Sequence, residues 1–237
     1  MYFPWIGLFD LLRQSNIFVH YDDVQLSRGF YNRVQIKTTN GTKMLSVPIK
    51  NKKRDQLINE SVISYEADWV SEHRNYIVNS YRKAKYIDDA LEIFDSVNQS
   101  QYQFLNQLTR ASIIEISKYL ELDLDVLFFD SPNFSVSGKS SERLMSITKK
   151  LEGDVYLTGH GALQYLNHDI FEENNIEVKY IDYQFESYNQ MYGQFTPYVT
   201  ILDAIAHLGK NAKHILKSKT ENWRRAIERP EKLRPRI

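Results

Sequence analysis

The chain has 237 residues with Lys plus Arg and Asp plus Glu both at 30, so its formal net charge of zero offers no global field for nucleic acid or an anionic membrane. It contains no cysteine, which excludes disulfides, cysteine-based metal sites and cysteine nucleophiles and accords with a reducing cytoplasm. A hydrophobic fraction of 42% with only 9 Gly and 6 Pro marks an ordinary globular chain with a sizeable core.

The opening MYFPWIGLFDLL is apolar, yet too short to span a bilayer and without the charged lead-in of an export signal. Leu8 to Leu12 reads as the end of a short helix with Phe9 and Leu12 on one face. NIFVHYD follows as a buried strand ending at Asp22-Asp23. YNRVQIKTTNGTKMLSVPIK reads as a hairpin near 30–50 with its turn at Asn40-Gly41. From Asp68 to about Leu120 apolar residues recur three and four apart, which predicts a helical insertion of at least three helices over 68–120.

LDVLFFDSP is a further short strand, and SGKSSERLMSITKKL a helix whose first turn takes its capping chemistry from Ser140, Ser141 and Glu142. DVYLTG, ALQYLNHDIFEENN and IEVKYIDYQ then alternate strand, helix, strand. That alternation predicts an α/β fold, mainly parallel, with helices on both faces of the sheet. VTILDAIAHLG is a helix stopped at Gly209. The organisation expected is one α/β domain over 1–215 and a basic tail over 216–237, docked or frayed.

Ligands of open parallel sheets sit beyond the carboxyl ends of strands. The cluster Asp22, Asp23, Gln25, Arg28, Asn32 and Arg33 falls at such an end. Its paired carboxylates suit a sugar hydroxyl, an amine or a divalent cation, and its arginines suit a phosphate. His73, Ile77 and Tyr81 share a helix face, where an imidazole titrates near neutrality, and Lys83 follows. Lys139, Ser141 and Arg143 gather at a helix start behind Gly138, an anion-binding arrangement that also reads as simple capping. Gly159 and His160 occupy another strand-to-helix junction. Tyr188, Gln190 and Phe195 suit a loop covering a sugar. Asp203 and His207, four apart on a helix, fit a salt-bridged face better than a metal pair.

The strings YFPWIGLFDLL, NIFVHYDDVQLSRGFYNRVQIKTTNG, HRNYIVNSYRKAKY, VYLTGHGALQYL and YNQMYGQFTPYVTILDAIAHLG, in this order, resemble the WbqC-like family over nearly the whole chain. The resemblance implies a cytoplasmic bacterial protein of surface-polysaccharide (O-antigen) biosynthesis. It implies a transferase passing an acyl or aminoacyl group to a nucleotide-linked amino sugar, with Asp22, Asp23 or His73 moving the proton. The substrates would be a nucleotide sugar and an acyl donor, with no nucleic acid partner and no membrane span, and the cofactor is left unknown. A non-catalytic assembly module and a nucleotidyltransferase-like enzyme are the alternatives. Family members carry a short strand ending in Gln-Pro before the aromatic-Pro-Trp block, where Met1 stands here. That predicts a shortened start, an unpaired edge on NIFVHY and homodimer formation through it.

Overall fold

A computed structural model describes residues 1–27, 29–122, 124 and 126–228. Arg28, a candidate phosphate ligand, lies outside the described residues. The fold is mixed α/β, and its residues group into two compact units. Unit 1 is Met1–Phe129 with Phe185–Leu216, and unit 2 is Asp130–Gln184 with Lys217–Ile237.

In unit 1 the apolar opening is core. Tyr2 and Phe3 are buried, Tyr2 packed edge-on to Trp69 and Phe3 stacked on Phe94 at 5.3 Å. Helix α1 (Ile6–Arg13) turns Phe9 and Leu12 fully inward, as their spacing predicts. The Trp5 indole lies over the first turn of α1, so a Cβ added at Gly7 would sit 2.4 Å from that ring. Gly7→Ala is therefore expected to destabilise by about 1–3 kcal/mol despite alanine's better helix propensity, measured as a lower urea midpoint. An unchanged midpoint would show that the indole simply swings aside.

Strand β1 (Ile17–His20) pairs with β4 (Leu127–Asp130). β2 (Arg33–Thr38) and β3 (Gly41–Ser46) form the expected antiparallel hairpin, Thr38 opposite Gly41. The turn falls on Thr39-Asn40, one residue earlier than the Asn-Gly pair suggests. Thr38 Oγ1 accepts from the Asn40 N–H at 3.2 Å and donates to the Gly41 carbonyl at 2.9 Å, which closes the chain there. Gly41 then opens β3 at φ +99°.

The helical insertion consists of α2 (Trp69–Tyr81), α3 (Ile87–Asn98) and α4 (Leu105–Tyr119). Asp68 caps α2 by accepting from the Ser71 N–H at 3.1 Å, and Gln107 reaches back to the Phe104 N–H at 3.0 Å to close the start of α4. α7 (Ile201–Leu208) is capped by Thr200 and stops at Gly209, whose φ of +59° is closed to most side chains.

In unit 2, β5 (Val155–Thr158) and β6 (Glu177–Asp182) are the parallel pair that the strand-helix-strand alternation predicts. The segment between them is less regular than one helix: a 3-10 turn at His160–Gln164 and a single turn, α6 (Asp169–Glu172). Local bonds compete with a continuous helix here. Asn167 Oδ1 accepts from the Asp169 N–H at 3.1 Å, and Ser141 Oγ accepts from the Asn167 N–H at 2.9 Å.

That bond also redirects the serine expected to cap α5 (Ser140–Lys150). Lys139 occupies the cap position, and its side chain makes no capping bond. The stretch read as a basic tail supplies β7 (Lys219–Asn222), antiparallel to β6, and α8 (Trp223–Ile227). Its anchor is Trp223, stacked on His168 at 4.3 Å and donating from Nε1 to Glu172 at 2.9 Å, while Ala226 enters the core with Phe171 and Tyr180.

Candidate functional site at the end of β1

Strand alternation puts Phe18 and His20 on one face of β1. His20 is only 7% exposed, its ring packed on Phe128 and edge-on to Phe18. Two residues on, buried Asp22 binds Arg110 of α4 through both oxygens, at 2.8 and 3.1 Å. This is a fork-to-fork pair drawn out of water at the carboxyl end of a strand. Burial, then the charges of Arg110 and the Met1 amine, push the His20 pKa down to about 4, so the ring is neutral at physiological pH.

The pair is framed by η1, a 3-10 turn at Ile58–Glu60, and by the start of α4. The Asn59 N–H donates to the Asp22 carbonyl at 2.9 Å, and the Leu105 N–H donates to the Ser61 carbonyl at 2.8 Å. His20, Asn59, Asn106 and Arg110 escape a reading by local motif. His20 alone had a sequence signal, the two-residue period that aligns positions 18, 20 and 22.

A second polar cluster lies inside unit 1, among α2, β2, α7 and the loop before α7. Asp203, 1% exposed, accepts from the Tyr188 hydroxyl at 2.5 Å and the Gln190 amide at 3.0 Å. Lys37, 5% exposed, donates to Gln190 Oε1 at 2.8 Å and to the Gln194 carbonyl at 2.5 Å. Burial moves the two charges toward neutrality from opposite sides, raising the Asp203 pKa against its hydrogen bonds and lowering that of Lys37.

His207 Nε2 accepts from the Met191 N–H at 3.3 Å, which places the ring proton on Nδ1, 2.7 Å from the Asp203 carbonyl. Tyr81 comes from α2 to this cluster. Its hydroxyl faces the Asp203 carboxylate and the Lys37 main chain without reaching full hydrogen-bond geometry, and burial, with the Asp203 charge behind it, raises its pKa. Asp203 Oδ2 is likewise unbonded. The cluster ties the 188–196 loop to the core. The helix-face expectation for Asp203 and His207 thus holds as spacing, with the histidine bonded to the main chain as well as 3.6 Å from the carboxylate.

The other sequence candidates fall in both units. His73 is 4% exposed, its Nδ1 3.1 Å from the Tyr2 hydroxyl and its ring edge-on to Trp69, with burial pushing its pKa down to about 4. Asp23 is half-buried beside Asp22, and Gln25 is exposed, bonding the Arg54 carbonyl at 2.8 Å. Asn32 bonds the Val47 carbonyl at 2.8 Å. Arg33 holds a buried Nε–H without an acceptor, and Lys83 is exposed.

Lys139, Ser141, Arg143, Gly159 and His160 all belong to unit 2. There Ser141 is occupied by Asn167, and Gly159 lies against the Tyr183 hydroxyl. His160 stacks over Tyr180 and comes within 4.0 Å of Glu221. Among the described residues no group of three or more His, Asp or Glu side chains is arranged to hold a metal ion.

The WbqC-like protein family model matches residues 1–215. The chain belongs to the WbqC-like family. The Mycobacterium tuberculosis protein Rv1507c, itself described as uncharacterized, is 30% identical over 220 residues, covering 91% of this chain and 94% of its own length. No solved structure matches the chain at significance. No helix among the described residues of this WbqC-like protein is long and apolar enough to cross a membrane.

Proposed function

We propose that the chain is a cytoplasmic transferase of bacterial surface-polysaccharide biosynthesis, joining an acyl or aminoacyl group to the amine of a nucleotide-linked sugar. The observation that carries this reading is the neutral, buried His20 beside the Asp22–Arg110 pair at the carboxyl end of β1. The Nε2 lone pair of His20 is free at physiological pH, at the expense of basicity, and a carboxylate locked by a fork of two bonds fixes the geometry around it. In the step, the amine nitrogen attacks the donor carbonyl and a C–N bond forms. The bond from carbonyl to leaving group breaks, and the leaving group departs with its electron pair. The amine proton passes to His20 Nε2. The Arg33 guanidinium is assigned the sugar-linked phosphates.

The test is a thermal-shift screen of the intact chain against nucleotide sugars, followed by mass spectrometry of sugar product with acyl and aminoacyl donors. The expected result is a nucleotide-sugar shift that Arg33→Ala weakens about tenfold, and a turnover that His20→Gln lowers about a hundredfold with little change in binding. Turnover untouched in His20→Gln would refute the assignment. A non-catalytic binding module is the competing reading, favoured by the engagement of both Asp22 oxygens with Arg110. Saturable binding with no product for any donor would select it.

A further inference from the structure

We infer that the end of β1 holds the acceptor sugar by its amine and holds that amine unprotonated. The inference rests on the transferase reading above and assigns a substrate group to its site. Three side-chain atoms in this region are buried without a hydrogen-bond partner: His20 Nε2, Asn59 Oδ1 and Asn106 Oδ1. His20 and Asn106 are 7% and 9% exposed. All three are tied to the same ion pair. Asn59 binds the Asp22 main chain at 2.9 Å, Asn106 lies one turn before Arg110 on α4, and the Arg110 charge acts on the His20 ring.

A folded chain does not ordinarily leave buried acceptors empty, because each forfeits its bond to water. What relieves them is a ligand rich in N–H or O–H donors. A phosphate or a carboxylate brings acceptors only and gains nothing at the two amide oxygens, and His20 Nε2 joins them as an acceptor in the tautomer that carries its proton on Nδ1. A hydroxyl brings one donor; an amine brings two donors and a lone pair. Burial decides the charge state, with the Arg110 cation behind it. Burial holds the chain's own Met1 amine down to about 5 even though the Asp22 carboxylate pulls the other way, and an amine bound in the same region keeps its lone pair for the same reason. That is the form able to attack a carbonyl.

The experiment is isothermal titration of the intact chain with matched pairs of uridine- and thymidine-diphosphate sugars that differ only in an amine for a hydroxyl, for example UDP-glucosamine and UDP-glucose. The amine member is expected to bind at least about tenfold more tightly. Asn106→Ala is expected to reduce that preference to about twofold while holding or raising thermal stability, since it deletes a side chain with no partner and supplies a better helix former. Asn59→Ala, on a turn away from the helices, repeats the test should Asn106→Ala fold poorly.

Equal binding of the paired sugars by the unaltered chain, or a preference that survives both substitutions, would overturn this inference and leave the transferase reading standing. Failure of every nucleotide sugar to bind would overturn both.

Discussion

Replacing Arg110 with methionine is expected to cost unit 1 about 3–5 kcal/mol, the penalty for leaving a buried carboxylate without its fork. Asp22 is 5% exposed and Arg110 supplies bonds to both its oxygens, so no water takes over the lost donors at full strength. Combining Arg110→Met with Asp22→Asn is expected to recover a large part of the loss, because the uncompensated charge disappears with its partner. A double-mutant cycle in urea measures the coupling directly. Additive single and double losses would mean that the pair contributes packing alone.

Acidification is expected to destabilise the same unit strongly. His20 and His73 both have folded pKa values of about 4 against an ordinary 6.5, so the unfolded chain takes up protons that the folded chain refuses. Their contribution is complete above 6.5 and is lost as the pH falls toward 4. At about pH 4.5 the loss is about 2.5 kcal/mol for each ring, or about 5 kcal/mol for the two. Asp203 works in the opposite direction. Its raised pKa means that protonation removes a buried charge, which offsets part of the loss.

Urea midpoints at pH 7.5 and 4.5, followed by the fluorescence of Trp69 beside His73, provide the measurement. The buried Met1 amine, held down to about 5 by burial, loses about 3 kcal/mol over the same range, so His73→Leu is expected to remove about a third of the pH dependence. An acid sensitivity identical to that of the unaltered chain would sink the assignment to this ring.

Periodicity made much of this fold legible. The helix face of His73, Ile77 and Tyr81 is entirely buried, as three-four spacing predicts. The hairpin and the parallel pair β5–β6 follow from their strand patterns. What stayed hidden is long in sequence and short in space. Arg110 meets Asp22 across 88 positions and Lys37 meets Gln190 across 153, and no local pattern encodes either meeting. The same distance explains His73. Its spacing announces a common face, while only the tertiary neighbours Tyr2 and Trp69 show that this face looks into the core. Ser141 is the converse case, a good first-turn residue claimed by an amide 26 positions away.

The position of β7 and α8 in the chain bears on how the molecule is made. β6 lies between β5 and β7, and β7 begins at Lys219, after the whole of Phe185–Leu216 has been spent on unit 1. A ribosome releasing this chain from its amino end therefore finishes unit 1 before it delivers the last strand of unit 2. During that interval the edge of β6 stands open and Phe171 lacks the cover of α8, so nascent chains stalled near residue 216 should be the species that chaperones and proteases meet first.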